Sequence, residues 1–355
     1  MRLLQNLYRL IDEKPNHNIL TEKGKTFTYN DIKKHIGVWK HELERCGVSK
    51  RSKVVVYIKE AIDIVGVYFA LCELNCVMIP IDVSAKQSTI ADVIKSSKAH
   101  FVISLLEIDL DEFQKVMPLS LGYILYRTFY EEKDIPNDIM QFLYTSGTTG
   151  LPKCVMFSEE NMANNIINLA NELSLSEDDV IYTPISLMLP AALNTVLLPA
   201  ILSGTKVFVS ESTVPGNVLR NIIEQGVTVF FAVPFYYKLL ASNRWCTEDT
   251  WKNVRLCLTS SAYLSEEDFF NFYEKSKKGL HSIYCSSEAG TIAYNDSEDI
   301  DILSKFVGRP LVGCEISLIN VNAEGVGEIV VKGGMVSQKY YENEELNKEV
   351  YHNGW

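Results

Sequence analysis

The segment "YTSGTTGLPK" (Tyr144–Lys153) packs hydroxyl residues, two glycines, a proline and a lysine into ten positions. An apolar, β-prone run, "IMQFL" (Ile139–Leu143), precedes it, and a second apolar run, "CVMF" (Cys154–Phe157), follows it. Apolar runs bounded by glycine and proline are typical of strands and turns. The pattern therefore predicts a polar loop held between two rigid hydrophobic elements.

The composition of this loop suits a polyphosphate. Gly147 and Gly150 allow a sharp turn that brings backbone N–H groups close to an anion, and Lys153 adds a mobile positive charge. The hydroxyl donors are Thr145, Ser146, Thr148 and Thr149. The common P-loop spacing is absent, because the two glycines are three apart and Lys153 follows Pro152. On composition alone, an ordinary Ser/Thr/Gly surface loop is the alternative.

The whole chain has the composition of a globular protein large enough for two or three packed units. It has 355 residues, of which 47% are hydrophobic and 22% charged, with a net charge of −11. The acidic balance argues against a nucleic-acid partner. The eight cysteines are scattered without a zinc-site spacing, which favours reduced thiols and a cytoplasmic location. The N-terminal segment "MRLLQNLYRLIDEKP" is predicted as an amphipathic helix, not a signal peptide.

One uncharged run is long enough to span a bilayer. It covers 26 residues, Val180–Thr205, but Pro184, Pro190 and Pro199 interrupt it. We expect a buried loop followed by a core helix, and no membrane span.

Short apolar runs alternate with helical patterns along most of the chain. Examples are "KVVVYI" (Lys53–Ile58), the helical "AIDIVGVYFALCELN", and later "VTVFFAVP" and "LHSIYCS". This alternation predicts an α/β fold with a largely parallel sheet covered on both faces. After about residue 300, the runs "CEISLIN", "GEIVVKG" and "MVSQKYY" predict an antiparallel β unit or a small barrel. The approximate portions are 1–170, 171–300 and 301–355.

"YTSGTTGLPK" closely resembles the phosphate-loop signature "TSGTTGxPKG" of the adenylate-forming superfamily, with Cys154 where glycine is usual. That superfamily contains acyl-CoA synthetases, nonribosomal-peptide adenylation domains and luciferases. Further matches follow in the family's order. They are "KTFTYNDI" to "TYxEL", "VMIPID" to "vPlDp", "YCSSE" to "YGxTE", "VGRPLVGCEI" to "GxPxPGxxV", and "GEIVVKGGMVSQKYYEN" to "GElxvxGxxvxxGYxN".

The resemblance implies two mainly parallel sheets with flanking helices, in an αβαβα layering. It also implies that residues 1–355 form the large N-terminal domain, and that the small C-terminal domain, with its lysine, is absent. The family's "TGD" motif follows "GW", whereas this sequence stops at Trp355. Losing a preorganised charge donor lowers a rate by roughly 10²–10³. We therefore expect the fragment to bind nucleotide weakly and to adenylate poorly or not at all.

The resemblance also implies a set of site residues, with ATP and Mg²⁺ as cofactors. Glu288 is the expected magnesium ligand, because a hard carboxylate oxygen beside phosphates suits that ion. Glu288, Thr145 and Lys153 are the expected catalytic residues. Tyr284 would lie against the adenine, and Ser287 would contact the α-phosphate. The pair Ser260-Ser261 occupies the place of the family's small Gly-Gly segment, where the backbone approaches the adenine. The predicted nucleotide-binding residues are Thr145, Ser146, Gly147, Thr148, Thr149, Gly150, Lys153, Ser260, Ser261, Ala262, Tyr284, Cys285, Ser286, Ser287 and Glu288.

The implied reaction is attack of a carboxylate on the α-phosphorus of ATP, with loss of pyrophosphate and formation of an acyl-adenylate. The acyl group then passes to a thiol, on coenzyme A or on a carrier-protein arm. From Val180 through Ser203 there is no acidic residue to hold an ammonium group, which favours an apolar acyl or aryl acid. The predicted acyl wall is Leu187, Met188, Ala191, Phe235, Ala262 and Ile283; alternatively, these are plain core residues.

Two alternatives stay open. One is an amino-acid-activating adenylation domain of a peptide synthetase. The other is a non-catalytic nucleotide-binding module, because Cys154, Cys285 and Lys339 replace three glycines usual in the family.

Overall fold

A computed structural model describes residues 1–131, 135–145 and 153–355. In chain order, its strands are β1 (Asn18–Glu22), β2 (Lys25–Thr28), β3 (Lys53–Tyr57), β4 (Val77–Pro80), β5 (Phe101–Ser104), β6 (Phe113–Pro118), β7 (Ile124–Thr128), β8 (Ile139–Tyr144), β9 (Cys154–Ser158), β10 (Val180–Tyr182), β11 (Lys206–Val209), β12 (Val229–Ala232), β13 (Leu256–Ser260), β14 (Leu280–Ser286), β15 (Gly290–Tyr294), β16 (Arg309–Pro310), β17 (Cys314–Ile319), β18 (Glu328–Gly333) and β19 (Lys339–Tyr340).

The helices lie mainly between the strands. They are α1 (Arg2–Glu13), α2 (Tyr29–Arg45), α3 (Ala61–Glu73), α4 (Gln87–Ser97), α5 (Glu159–Glu172), α6 (Pro190–Ala192), α7 (Leu198–Ser203), α8 (Pro215–Glu224), α9 (Pro234–Ser242), α10 (Glu248–Trp251), α11 (Glu266–Ser276), α12 (Ile300–Lys305) and α13 (Glu344–Val350). A π-helical turn, Leu193–Leu197, joins α6 to α7.

The described strands form two large sheets and one hairpin. Sheet one has the order β16-β15-β14-β13-β12-β10-β11-β1-β2, and sheet two has the order β19-β9-β8-β4-β3-β5-β7-β6. The central pairs of both sheets are parallel, and the antiparallel pairs lie toward the edges. The predicted α/β fold with two mainly parallel sheets is confirmed.

Side chains of successive strand residues point to opposite faces, and this alternation separates the layers. In β3, Val54 and Val56 belong to the apolar cluster between the sheets, whereas Val55 belongs to the cluster on the outer face of sheet two. In β12, Phe231 faces the central cluster and Phe230 the outer cluster of sheet one. The layers therefore follow the predicted αβαβα order.

Helix α3 lies within the central layer. Its buried residues run continuously from Ile64 to Cys72, so the helix has no polar face over that span. A helix that is apolar on all sides requires burial on all sides. Packing between the two sheets meets that requirement.

The sheets do not divide the chain at a single point. Strands β1 and β2, from the portion 1–170, extend the sheet built otherwise from residues 180–310. Strand β19, from the portion 301–355, pairs antiparallel with β9 at the edge of sheet two. Both large sheets therefore contain strands that are distant in the sequence.

The C-terminal β unit differs from the barrel alternative. Strands β17 and β18 pair antiparallel over six residue pairs and form a hairpin, as predicted. The third run, "MVSQKYY", leaves this unit: its Lys339 and Tyr340 pair with Met156 and Val155 of β9. Strand β19 supplies hydrogen-bond partners for backbone groups of β9 that would otherwise lie unpaired at the edge of sheet two.

The uncharged run Val180–Thr205 forms β10, the short α6, the π-helical turn and α7. Leu198 and Ile201 are fully buried, so the predicted core helix is confirmed. The loop before it is only partly buried, because Leu187 and Met188 are buried whereas Leu189 is 40% exposed. Within residues 1–131, 135–145 and 153–355, helices that combine the length and apolarity needed to cross a bilayer are absent.

A buried ion pair fixes the start of β10. Asp179 accepts hydrogen bonds from Arg255 Nε at 2.8 Å, Arg255 Nη2 at 2.7 Å and Thr228 Oγ1 at 2.7 Å, and its side chain is 4% exposed. Burial raises the pKa of Asp179, but the bonds from Arg255 and Thr228 outweigh it, and the net pKa lies below the usual range. These bonds connect the residues that directly precede β10, β12 and β13, which are neighbouring strands of sheet one.

We expect Asp179→Ala to lower the free energy of unfolding at pH 7 by roughly 2–3 kcal/mol, because it removes a buried carboxylate that accepts charge-assisted hydrogen bonds from Arg255 and a bond from Thr228. Urea denaturation measures the difference. Because the folded-state pKa is lowered, this stability is present above about pH 4 and is lost as the pH falls through the folded-state value. Glu13→Ala is the control: it removes an exposed pair with Arg9 and should change stability by about 0.3–0.5 kcal/mol. Equal effects of the two variants would contradict the assignment.

Candidate active site

The neck of the predicted phosphate loop is closed by backbone bonds. Strands β8 and β9 pair antiparallel, with Tyr144 opposite Cys154. The Thr145 N–H donates to the Lys153 carbonyl at 3.1 Å, and the Lys153 N–H donates to Thr145 Oγ1 at 3.4 Å. Thr145 and Lys153, both predicted as catalytic, therefore lie side by side. The predicted Ser146, Gly147, Thr148, Thr149 and Gly150 lie outside the described residues.

A cavity of about 470 Å³ opens at the carboxyl ends of β13 and β14. Six residues predicted for the nucleotide or the acid line it: Ser260, Ser261, Ala262, Ile283, Tyr284 and Cys285. The opposite wall comes from the end of α12 and the segment after it, Leu303–Val307, which we did not predict. Phe306 is 61% exposed and Val307 49% exposed. In the sequence, the two apolar residues Phe306 and Val307 directly before "GRP" could have indicated that wall.

Three of the predicted residues, Ser260, Ser261 and Cys285, have side chains at positions where the family usually has glycine. Ser260 Oγ and Cys285 Sγ are 3.2 Å apart across the cavity wall. Ser261 has a φ of +74°, in the left-handed region that favours glycine. The backbone thus keeps a glycine-like conformation at Ser261 although a side chain is present.

Glu288 lies in the turn between β14 and β15. The turn begins at Ser286, whose Oγ accepts a bond from the Ala289 N–H at 3.0 Å; Ser287 is partly buried beside it. The turn ends at Gly290, which has a φ of +62° and where a Cβ atom would lie 1.7 Å from Asn165 Nδ2. Glycine is therefore required there for both conformation and space. Sequence reasoning did not single out Gly290, although its position directly after "SSEA" was a signal for a tight turn.

Tyr340 connects the Glu288 turn with the loop neck. Its hydroxyl donates to Glu288 Oε1 at 2.7 Å, and Lys153 Nζ lies 5.7 Å from the centre of its ring. Tyr340 is 4% exposed. Burial and the neighbouring carboxylate of Glu288 raise the pKa of Tyr340 far above its usual value, so the phenol remains a donor. We did not predict Tyr340 as a site residue; it lies in the quoted "QKYYEN" match.

A second tyrosine, Tyr351, packs against Tyr340. Their ring centres are 5.7 Å apart at an angle of 71°, and the Tyr351 hydroxyl is 2.5 Å from Ser337 Oγ. Burial raises the pKa of Tyr351 to about 12, and the nearby Glu288 carboxylate adds to the rise, whereas the bond with Ser337 opposes it.

The predicted acyl wall is only partly assembled in the described structure. Ala262 and Ile283 both line the cavity. Leu187 and Met188 are buried in the central apolar cluster, and Ala191 packs against it. Phe235, at the start of α9, is 67% exposed. The acyl roles of these residues stay predictions.

The donor set limits how a metal could be held. Over the described ranges, three or more His, Cys, Asp or Glu side chains do not come together as a metal site. Mg²⁺ usually keeps several waters and binds through one or two carboxylates plus substrate phosphates. A single carboxylate, Glu288, that shares the neighbour Tyr340 with Lys153 fits that mode.

We expect Ser261→Gly to raise the free energy of unfolding by about 0.5–1 kcal/mol, because it relieves a left-handed conformation at an exposed position. Urea denaturation measures the change. The neighbouring Ser260→Gly is the matched control and should destabilise the protein, since Ser260 is 5% exposed and contacts Cys285. A loss of stability in Ser261→Gly would show that the serine side chain supports the turn.

Comparisons with known proteins agree with this architecture. The chain is 24% identical over 357 residues to a feruloyl-CoA synthase of Amycolatopsis, covering 96% of this chain and 72% of that protein. It is 22% identical over 348 residues to a 2-succinylbenzoate–CoA ligase of Oceanobacillus iheyensis, covering 94% and 71%. The ATP-bound crystal structure of MatB from Rhodopseudomonas palustris has the same fold, with a TM-score of 0.82, 18% identity, and coverage of 99% of this chain and 74% of that one.

The family described as "AMP-binding enzyme" matches residues 7–341. This match spans the neck of the phosphate loop, the cavity, the Glu288 turn and Tyr340. The adenylate-forming resemblance is therefore confirmed, and the chain belongs to the AMP-binding enzyme family.

Proposed function

We propose that this protein activates a carboxylic acid by AMP-forming chemistry. The acid carboxylate attacks the α-phosphorus of ATP, the bond to the bridging oxygen breaks, and pyrophosphate leaves. The product is an acyl-adenylate, whose acyl group later passes to a thiol of coenzyme A or of a carrier-protein arm. Membership of the AMP-binding enzyme family and CoA-ligase relatives support an AMP-forming ligase.

The observation that carries the proposal is the convergence of two loops from different sheets. Thr145 and Lys153 come from the β8–β9 connection of sheet two, and Glu288 comes from the β14–β15 turn of sheet one. Lys153 and Glu288 contact the same side chain, Tyr340. A positive group and a carboxylate that share one neighbouring side chain are the pair of groups that a metal–triphosphate needs, although the cavity lining itself consists of other residues.

Each part of ATP has a suitable place. The adenine would occupy the cavity lined by Ser261, Ala262 and Tyr284, where an aromatic ring provides a stacking surface. The β- and γ-phosphates would lie at the Thr145–Lys153 neck, and Ser287 would face the α-phosphate. Glu288 would hold Mg²⁺, which supplies charge neutralisation when bound. The protein's own donors orient the phosphates for in-line attack.

The acid is proposed to be apolar, of the acyl or aryl class. The β10–α7 segment has no acidic side chain from Val180 through Ser203, so a buried ammonium group would be unpaired there. Ile283 and Ala262 offer an apolar surface in the cavity. The names of the two relatives, feruloyl-CoA synthase and 2-succinylbenzoate–CoA ligase, refer to aryl acids and support the same class.

We also propose a cytoplasmic location. All eight cysteines are thiols, in agreement with a reducing compartment.

Glu288→Ala tests the nucleotide role. We expect Mg²⁺ to tighten ATP binding to the unmodified protein and to lose most of that effect in the variant, because the proposed metal ligand is gone. Isothermal titration with ATP, with Mg²⁺ or with EDTA, measures both affinities. Glu298→Ala, at an exposed acid outside the site, is the control. If ATP affinity in Mg²⁺ is the same with and without the Glu288 carboxylate, the proposed metal role is wrong.

A panel of acids tests the substrate class. In the presence of ATP and Mg²⁺, hydrophobic aryl and acyl acids should raise the unfolding temperature more than α-amino acids do, because the pocket lacks a partner for an ammonium group. Differential scanning fluorimetry measures the shifts. Omitting ATP should weaken the response to the acid. Selective stabilisation by one α-amino acid would favour an amino-acid-activating domain, and ATP binding without any acid response would favour a non-catalytic module.

A further inference from the structure

The segment around β19 holds Glu288 at two points. The Tyr340 hydroxyl donates to its side chain, and the Ser337 N–H donates to its main-chain carbonyl at 2.8 Å. The turn that carries Glu288 is thus attached to residues 337–340 through both main chain and side chain. The tight turn at Gly290 fixes the other end.

Tyr340 itself is held rigidly. It pairs with Val155 in β9, the strand that leaves the phosphate loop. Its N–H donates to Asn347 Oδ1 at 2.8 Å, and its carbonyl accepts from Asn347 Nδ2 at 2.9 Å. Asn347 is 5% exposed, so these bonds are shielded from water. The Tyr340 ring therefore has a fixed position relative to the loop neck.

Tyr340 lies next to two side chains of opposite charge. Its hydroxyl hydrogen bonds to the Glu288 carboxylate, and the face of its ring lies toward the ammonium of Lys153. A phenol that donates to one carboxylate oxygen fixes the orientation of the group and directs the other oxygen elsewhere. The ring attracts a nearby cation through its quadrupole.

We infer that Tyr340 is a positioning residue that sets the carboxylate of Glu288 for the metal and aligns Lys153 with the same phosphates. The inference rests on the proposed function, in which Glu288 holds Mg²⁺. In this inference, Tyr340 acts through these two side chains.

Tyr340→Phe removes the hydroxyl and retains the ring. The measured quantity is the Mg²⁺ gain, defined as the ratio of the ATP dissociation constant in EDTA to that in Mg²⁺, obtained by isothermal titration. Loss of a group that orients a metal ligand weakens metal affinity about 10–100-fold. We expect the Mg²⁺ gain to fall about 10-fold in Tyr340→Phe, while the ATP affinity in EDTA remains that of the unmodified protein.

Tyr351→Phe is the matched control. It removes a hydroxyl from the other member of the same ring pair, and that hydroxyl bonds to Ser337 instead of Glu288. We expect its Mg²⁺ gain to be unchanged. Equal losses in the two variants, or a loss of ATP affinity in EDTA as well, would mean that Tyr340 acts only by packing.

A double-mutant cycle separates this inference from the function on which it rests. In a Glu288→Gln background, Tyr340→Phe should have no further effect on the Mg²⁺ gain, because the group that it orients is already altered. If Glu288→Gln leaves the gain intact, the proposed metal role fails, and this inference fails with it. If Glu288→Gln abolishes the gain but Tyr340→Phe preserves it, only the positioning role is wrong.

Discussion

The burial of one apolar layer between two sheets is the constraint on which the site depends. Val54, Val56 and Phe231 contribute to this layer from opposite sheets, and α3 lies within it. Removing this much apolar surface from water stabilises a single arrangement of the two sheets. That arrangement brings the Thr145–Lys153 neck and the β14–β15 turn to the same side chain, Tyr340. Neither sheet alone could place Lys153 near Glu288.

The exchange of strands between distant parts of the chain reinforces this arrangement. Strand β19 begins more than 180 residues after β9 and still pairs with it, and Tyr340 on that strand reaches Glu288 in the other sheet. Buried hydrogen bonds of this kind are directional, so they define a geometry that apolar packing alone leaves loose. The site therefore lies where apolar packing and directional bonds act together.

The residues that replace the family's usual glycines fit the fold in different ways. Cys154 is a buried strand residue opposite Tyr144, and Lys339 is an exposed residue on a two-residue edge strand, where a lysine also discourages further pairing. Cys285 contacts Ser260 beside the cavity. Of these positions, only Ser261 takes a left-handed conformation. The substitutions leave the cavity lined by Tyr284 open and the Glu288–Tyr340 bond in place, which weakens the argument for a degenerate module.

The residue pattern by itself determined the strand and helix types of the parallel core, because the apolar periodicity of β3, α3 and β12 reflects local backbone geometry. It also predicted the loop of Thr145 and Lys153 and a metal-binding role for Glu288, because the expected chemistry needs those residue types in short motifs. Only the tertiary structure decided that β1 pairs with β11, that Leu303–Val307 closes the cavity, and that Tyr340 joins Glu288 to Lys153. These contacts connect residues that are far apart along the chain. Local periodicity contains no information about them, since packing of the whole core selects the partners.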